Sequence, residues 1–338
     1  MDYFGIDLHQ KHSEICGMDS EGRVKCQERV ATSAAGLRRV FGRRKSCRVV
    51  IESGCQTMWA ARLLQSMGHE VVIVNPRRVR LIAESTLKSD RIDAEILAWL
   101  GRQEEALVRP VYQRSQGALD LRTRLRVRTS LVRARTALIN SVRGTLRSRG
   151  YRMRSCLASR FAARFCEVKL ETSLRQVLDP LVETIAELSL RIERLEADLV
   201  EEAGADELLV RLQEVPGVGP LVCLSFIGWV DRPERFQRSR DVGACLGLRP
   251  QVRDSGERTW RGPITREGDG EMRRLLVQAA HAALNCRRDS ALKRWAERLA
   301  ERSGKRKAVV ALARKLAVLL HRLWVTGRTY QPLPQVAA

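Results

Sequence analysis

The sequence predicts an α/β domain over its first hundred residues, followed by a mainly helical remainder. Two observations carry this reading. Short strand patterns alternate with helical ones up to about residue 108, and strand signals then give way to long, charge-rich helical runs. A third observation bears on partners. The 338 residues hold 61 Lys and Arg against 39 Asp and Glu, a formal charge of +22. An excess of that size points to a polyanion, because each phosphate neutralised releases a condensed counterion. Nucleic acid is favoured over an anionic membrane surface, the other polyanion such charge would suit.

The N-terminal elements follow in order. Tyr3 to Leu8 alternates Phe4, Ile6 and Leu8 with Tyr3, Gly5 and Asp7, as a strand with two different faces does. Ser13 to Met18 continues after a short turn, and Asp19-Ser20-Glu21-Gly22 is a hairpin loop before Arg23 to Val30. Ser33 to Arg44 reads as a helix capped by Ser33. Arg48 to Glu52 is a short, mostly apolar run expected of a central strand covered on both faces. A helix from Thr57 to Met67 and a strand from Glu70 to Val74 complete the series. Three strands, then helix, strand, helix, strand is the order of the ribonuclease H-like fold.

From Arg109 to Lys169 the chain carries sixteen Lys and Arg against two acids. Arg122, Arg124, Arg126 and Arg128 alternate, but helix formers without Gly or Pro favour a helix with a basic face. Asp179-Pro180 reads as a helix start. Beyond it Leu181, Ile185, Leu188, Ile192, Leu195 and Leu199 keep a four-three spacing, the seam of a coiled coil. That stripe fits either packing on its own domain or an arm between protomers. Three parts are therefore expected: 1–108, a basic helical and coiled-coil region 109–205, and a mainly α domain 206–338.

In the last part Val215-Pro216-Gly217-Val218-Gly219-Pro220 resembles the hairpin of a helix-hairpin-helix element. Gly217 and Gly219 would let backbone N–H groups approach a phosphate at the start of the next helix, although a plain inter-helix turn gives the same residues. Arg249 to Gly270 reads as a Gly-, Ser- and Arg-rich loop, and helices Glu271 to Leu284 and Lys305 to Trp324 close the chain.

Four carboxylates stand out. Asp7 lies in the first strand, opposite Phe4, Ile6 and Leu8, and Glu52 ends the apolar central strand, where charge is costly without a purpose. Asp90 and Asp93 sit three apart on a helix whose face continues through Leu97 and Leu100. A hard divalent cation would give such inward carboxylates their partner, and oxygen-only ligands favour Mg2+ or Mn2+ over zinc. Each acid also has an ordinary use: a turn bond for Asp7, an arginine for Glu52, a helix start for Asp90 and Asp93. His9 and His12, near a strand end, are read as structural rather than as metal ligands. Nine cysteines without a Cys-x-x-Cys pair give no zinc knuckle or disulfide framework. No signal peptide or membrane span is evident, so a cytoplasmic location is expected.

Tyr-Phe-Gly-Ile-Asp-Leu-His at 3–9, Val-Ile-Glu-Ser at 50–53 and Lys-Ser-Asp-Arg-Ile-Asp-Ala at 88–94 resemble the DEDD transposases of bacterial insertion sequences, the "one-ten" family. The second half agrees through Val-Pro-Gly-Val-Gly-Pro, Leu-Gly-Leu-Arg-Pro, Asp-Ser-Gly, Gly-Pro-Ile-Thr-Arg-Glu-Gly and Met-Arg-Arg-Leu-Leu. The resemblance covers nearly the whole chain. It implies a RuvC-like domain with Asp7, Glu52, Asp90 and Asp93 as catalytic, metal-binding acids. It also implies a C-terminal transposase domain with Ser255 as nucleophile, and Arg253, Arg258 or Arg261 is then placed to grip phosphate. Asp254 stands where many relatives have a neutral residue. By itself Asp-Ser-Gly is a common turn.

The expected reaction is Mg2+-dependent transesterification of DNA through a phosphoserine ester. The resemblance further implies target and donor DNA, a non-coding bridge RNA that selects them, and a homo-oligomer, dimer or tetramer, that completes the site. The alternatives are a structure-selective nuclease of the Holliday-junction-resolvase kind, with water attacking, and an inactive nucleic-acid-binding relative.

Overall fold

The structure, a computed structural model, describes residues 1–75, 89–103, 108, 110–255 and 258–332, without the side chains of 253–255, 258, 259 and 261. The chain forms two compact units, Met1–Arg114 and Ser115–Ala338.

The first unit is built on a five-stranded mixed sheet of order β3-β2-β1-β4-β5. The strands are β1 (Tyr3–Leu8), β2 (His12–Met18), β3 (Val24–Ala31), β4 (Arg48–Glu52) and β5 (Glu70–Val74). β1 pairs antiparallel with β2 and parallel with β4, and β4 pairs parallel with β5. This order is compatible with the ribonuclease H-like arrangement that the sequence predicts. Helix α1 (Ala34–Phe41) is capped by Ser33, whose side chain accepts from the Gly36 N–H at 3.1 Å, and α2 is Thr57–Ser66.

Strand alternation gives the sheet two cores. Phe4, Ile6, Val49, Ile51, Val71 and Ile73 join Leu37, Phe41 and Leu64 of α1 and α2 on one face. On the other, Val50, Val72 and Val74 meet Leu97 and Leu100 of α3 (Asp90–Gly101). The second face is thus the one to which Gly5, Asp7 and Glu52 belong. Gly5 permits the contact. A Cβ there would lie 2.0 Å from the Ala94 carbonyl oxygen and 2.3 Å from the Ala98 nitrogen, so only hydrogen lets α3 lie this close to β1.

The second unit is mainly helical. Two 33-residue helices, α4 (Gln116–Ser148) and α6 (Thr172–Gly204), run antiparallel, as the pairs Arg124–Glu202, Arg128–Glu196 and Arg135–Ser189 show. With α5 (Phe161–Cys166) they enclose Ile139, Val142, Leu146, Phe161, Phe165, Leu178 and Ile185. Ile185, Ile192 and Leu199 of the predicted seam are buried inside this chain, which is the packing-on-its-own-domain alternative for those residues. Pro180 does not start a helix; it lies within α6, which begins eight residues earlier. Leu178 and Val182 on either side of it are buried, so packing holds the helix through the missing N–H.

The other core gathers around α8 (Pro220–Val230), which buries Cys223, Leu224, Phe226, Trp229 and Val230. Around it lie α7 (Glu207–Gln213), α9 (Ser239–Cys245), α10 (Gly270–Asn285), α11 (Ala291–Ser303) and α12 (Lys305–Thr326). Two expectations are corrected here. The segment read as a loop, Arg249 to Gly270, contains an antiparallel hairpin, β6 (Pro250–Ser255) with β7 (Arg258–Ile264). Its Gly, Pro and Arg content hides the pattern, but the backbone groups find their partners across the hairpin. The C-terminal region also holds a third helix, α11, started by Ser290 accepting from the Lys293 N–H at 3.2 Å. No helix among the described residues is long and apolar enough to cross a membrane.

Candidate active site

Asp7 stands near the end of β1 with a side chain only 13% exposed. Its burial pushes the carboxyl above its ordinary value, and the charges of Asp90 and Asp93 push it further, against the lowering influence of His9. Asp90 and Asp93 occupy the first turn of α3, but neither caps it. Ser89 does so, its hydroxyl accepting from the Ile92 N–H at 3.3 Å. The two acids therefore add their charge to the helix N-terminus, where anions are favoured, without being used up as caps. Asp93 Oδ1 is buried with no hydrogen-bond partner among the described residues.

One donor atom each of Asp7, His9 and Asp90 lies within 4.8 Å of the other two. His9 Nε2 is 2.9 Å from Asp7 Oδ2 and 3.3 Å from Asp90 Oδ2. Burial opposes the charged imidazole, but the flanking carboxylates outweigh it and raise His9 above its ordinary value. Ile51 of β4 pairs with Ile6 of β1, so Glu52 and Asp7 follow at the same level on neighbouring strands. Glu52 and Asp93 are not in the mutually close set of three. A cavity of about 350 Å3 adjoins it, lined by His9, Lys11, His12, Glu14, Arg29 and Asp90. A carboxyl raised chiefly by burial and further by two nearby acids, with a buried carboxylate oxygen that has no partner among the described residues, is what a carboxylate site for a divalent cation presents. The residues present fit such an ion.

The sequence reads His9 as structural, and the structure places its ring against both Asp7 and Asp90. The signal for that placement is the spacing: residues two apart at a strand end share a face, which puts His9 beside Asp7.

Ser255 ends β6, in register with Arg258, while Arg253 pairs with Trp260 and Val252 with Arg261. The side chains of Arg253, Ser255, Arg258 and Arg261 lie outside the described residues. Gly217 has φ +79°, and a Cβ on it would lie 2.2 Å from the Ala279 carbonyl oxygen of α10. Close helix packing is thus sufficient to demand glycine there. Gly219, the N-cap of α8, has open space around its Cα instead.

Part of the basic run on α4 is neutralised within the chain. Arg124, Arg128 and Arg122 pair with Glu202, Glu196 and Asp269, leaving less free charge than the sequence suggests. A cavity of about 560 Å3 in this unit is lined by Arg122, Arg126, Arg128 and Arg133 together with Asp269 and Glu271.

Similarity to known proteins extends into both units. A transposase family model of the DEDD type matches residues 4–149, and a second, described as "Transposase IS116/IS110/IS902 family", matches 210–296. The chain is 31% identical to the transposase for insertion sequence element IS1111A of Coxiella burnetii, over 97% of this chain and 90% of that one. It is 29% identical to the transposase for insertion sequence element IS1328 of Yersinia enterocolitica, over 93% of each. The chain belongs to the IS110 family of transposases.

Proposed function

We propose that this transposase cleaves and rejoins DNA by transesterification, with Asp7, Glu52, Asp90 and Asp93 holding Mg2+ or Mn2+ and Ser255 as the nucleophile. In this reading residues 1–108 form the RuvC-like catalytic part and 109–205 a basic helical and coiled-coil part, while 206–338 carry the serine. The observation that supports it most is the convergence of Asp7 and Asp90, from a strand and a helix far apart in sequence, with Asp93 Oδ1 buried and without a partner among the described residues.

A cation held there would polarise a phosphodiester and stabilise its charged oxygens. The protein's own groups do the rest. Ser255 Oγ forms a bond to phosphorus as the bond to one bridging deoxyribose oxygen breaks. The serine's proton is balanced by the one the released deoxyribose hydroxyl gains. The strand end is held as a phosphoserine ester, and the reverse reaction with a new hydroxyl rejoins DNA without ATP. Arg253, Arg258 or Arg261 neutralises the phosphate. Gly219, at the open N-terminus of α8, and Gly217 before it offer backbone N–H groups to nucleic acid. Target and donor DNA, a bridge RNA and a dimer or tetramer complete the reading, following the family's pattern.

The test is a denaturing gel of end-labelled DNA incubated with wild-type, Ser255→Ala and Asp90→Asn proteins. Wild type should give a slow-migrating protein–DNA band that both variants lack. A band that survives in Ser255→Ala rules the serine out. Free cleaved ends with no such band in wild type favour water as the nucleophile.

A further inference from the structure

We propose that His9 is a ligand of the cation at the Asp7–Asp90 site and makes that site prefer Mn2+ to Mg2+. The proposal rests on the reading that these carboxylates hold a divalent ion, and it adds a nitrogen donor to what was otherwise an all-oxygen set.

The geometry carries it. An octahedral ion with ligands at ~2.1 Å separates neighbouring donors by about 3.0 Å. His9 Nε2 stands 2.9 Å from Asp7 Oδ2 and 3.3 Å from Asp90 Oδ2, the spacing of adjacent corners on one coordination sphere. The His9 backbone is fixed where β1 turns into β2, its N–H donating to the His12 carbonyl at 3.2 Å. Asp7 is held by the strand, Asp90 by the first turn of α3 and His9 by that backbone bond in the β1–β2 turn. The adjoining cavity leaves room on the sphere for water or a phosphate oxygen, with Lys11 and Arg29 on its wall.

The chemistry then sets the preference. Mg2+ is hard, keeps its waters and gains little from imidazole, whereas a nitrogen donor suits the first-row transition ions. A purely electrostatic role, with His9 as a cation neutralising two acids, would produce the same contacts without a metal. It predicts a different response, because a metal ion would then compete with His9 instead of binding it.

The experiment uses the full chain without nucleic acid. Binding of Mn2+ and of Mg2+ is measured by calorimetry, and the Mn2+-loaded protein is examined by electron spin-echo envelope modulation, which detects a directly bound nitrogen. The proteins are wild type, His9→Ala, His12→Ala and Asp90→Asn. In wild type, Mn2+ should bind more tightly than Mg2+ and show imidazole nitrogen modulation. His9→Ala should abolish the modulation and weaken Mn2+ by about tenfold, with Mg2+ changed by no more than about twofold. His12→Ala should leave both readouts unchanged, and Asp90→Asn should weaken both ions. Mn2+ bound without nitrogen modulation, or modulation that survives in His9→Ala, overturns the proposal and leaves the carboxylate site standing. Failure of wild type to bind either ion sinks the carboxylate reading and the proposal together. Tighter Mn2+ binding by His9→Ala than by wild type identifies His9 as a competing cation and likewise overturns the proposal.

Discussion

The α-carbon of Gly5 faces the main chain of Ala94 so closely that a methyl group between them would sit 2.0 Å from the carbonyl oxygen. Asp7 is two residues beyond Gly5 on the same strand face, and Asp93 is the residue before Ala94. The missing side chain therefore sets how near the strand acid comes to the helix acids.

Gly5→Ala should push α3 off the sheet. Overpacking of this kind costs ~1–3 kcal/mol, and here the obstacle is backbone that cannot rotate away. The expected outcome is a lower urea midpoint together with weaker Mn2+ binding, read by denaturation and calorimetry. Gly117→Ala is the control, since nothing lies within 4 Å of its Cβ position and it is helical. A variant of Gly5 with wild-type midpoint and wild-type metal affinity would show that the close approach is not what positions the acids.

Asp7→Asn should separate stability from metal response. In the ion-free protein the Asp7 carboxylate carries the cost of burial and the repulsion of Asp90 and Asp93, which together exceed the help from His9. The neutral isostere removes that burden, so the melting temperature without metal should not fall. Wild type should gain stability as Mn2+ or Mg2+ is added, by about 2.7 kcal/mol at a hundred times the dissociation constant. The variant should gain none, and its DNA cleavage should be lost. A metal-dependent rise in melting temperature of the same size in Asp7→Asn would remove Asp7 from the site.

The strands and the acids were legible in the sequence because both are local signals. Alternation over Tyr3–Leu8 separates Asp7 from Phe4 and Ile6, and Asp90 with Asp93 follows Ser89 at helical spacing. What was not legible depends on partners distant in sequence. Gly262-Pro263 disfavours a strand by propensity, yet β7 forms because β6 supplies its ladder. Asp179-Pro180 carries a helix-start signature, and only the burial of Leu178 and Val182 shows why the helix runs through it. The basic run on α4 gave no hint that Glu196 and Glu202, some seventy residues later, neutralise part of it.

Asp269 should make the second unit acid-sensitive. It caps α10 by accepting from the Met272 N–H at 2.9 Å and pairs with Arg122 at 2.6 Å. Burial works to raise its carboxyl, but the Met272 N–H and Arg122 outweigh it and hold it below its ordinary value. A depressed carboxyl contributes stability that is complete above the unfolded value near ~3.9 and is lost as pH falls through the folded value. Asp269→Asn keeps a capping oxygen and removes the charge, for a loss of roughly 1–3 kcal/mol at neutral pH. Asp269→Ala also removes the cap and should cost about 1 kcal/mol more. Denaturation at pH 7 and pH 3 checks this, because the gap between wild type and Asp269→Asn should narrow at the lower pH. A gap that stays constant assigns the loss to packing.

Substitutions along α6 should separate its internal face from any surface used between copies. Ile192 is 2% exposed, and Leu190 two positions earlier is 47% exposed. A glutamate at 192 would put an unpaired charge among apolar side chains, so Ile192→Glu should lower stability at every protein concentration. Leu190→Glu lies on the outward face and should leave the denaturation midpoint unchanged. If the oligomer proposed above forms through α6, Leu190→Glu should shift it toward monomer in light scattering. Ile192→Glu should instead yield poorly folded protein, because its neighbours are in its own chain. A stable, well-folded monomer from Ile192→Glu would mean that the buried stripe opens to meet another copy. The antiparallel pairs Arg124–Glu202 and Arg128–Glu196 argue against that, since opening the stripe would separate them as well.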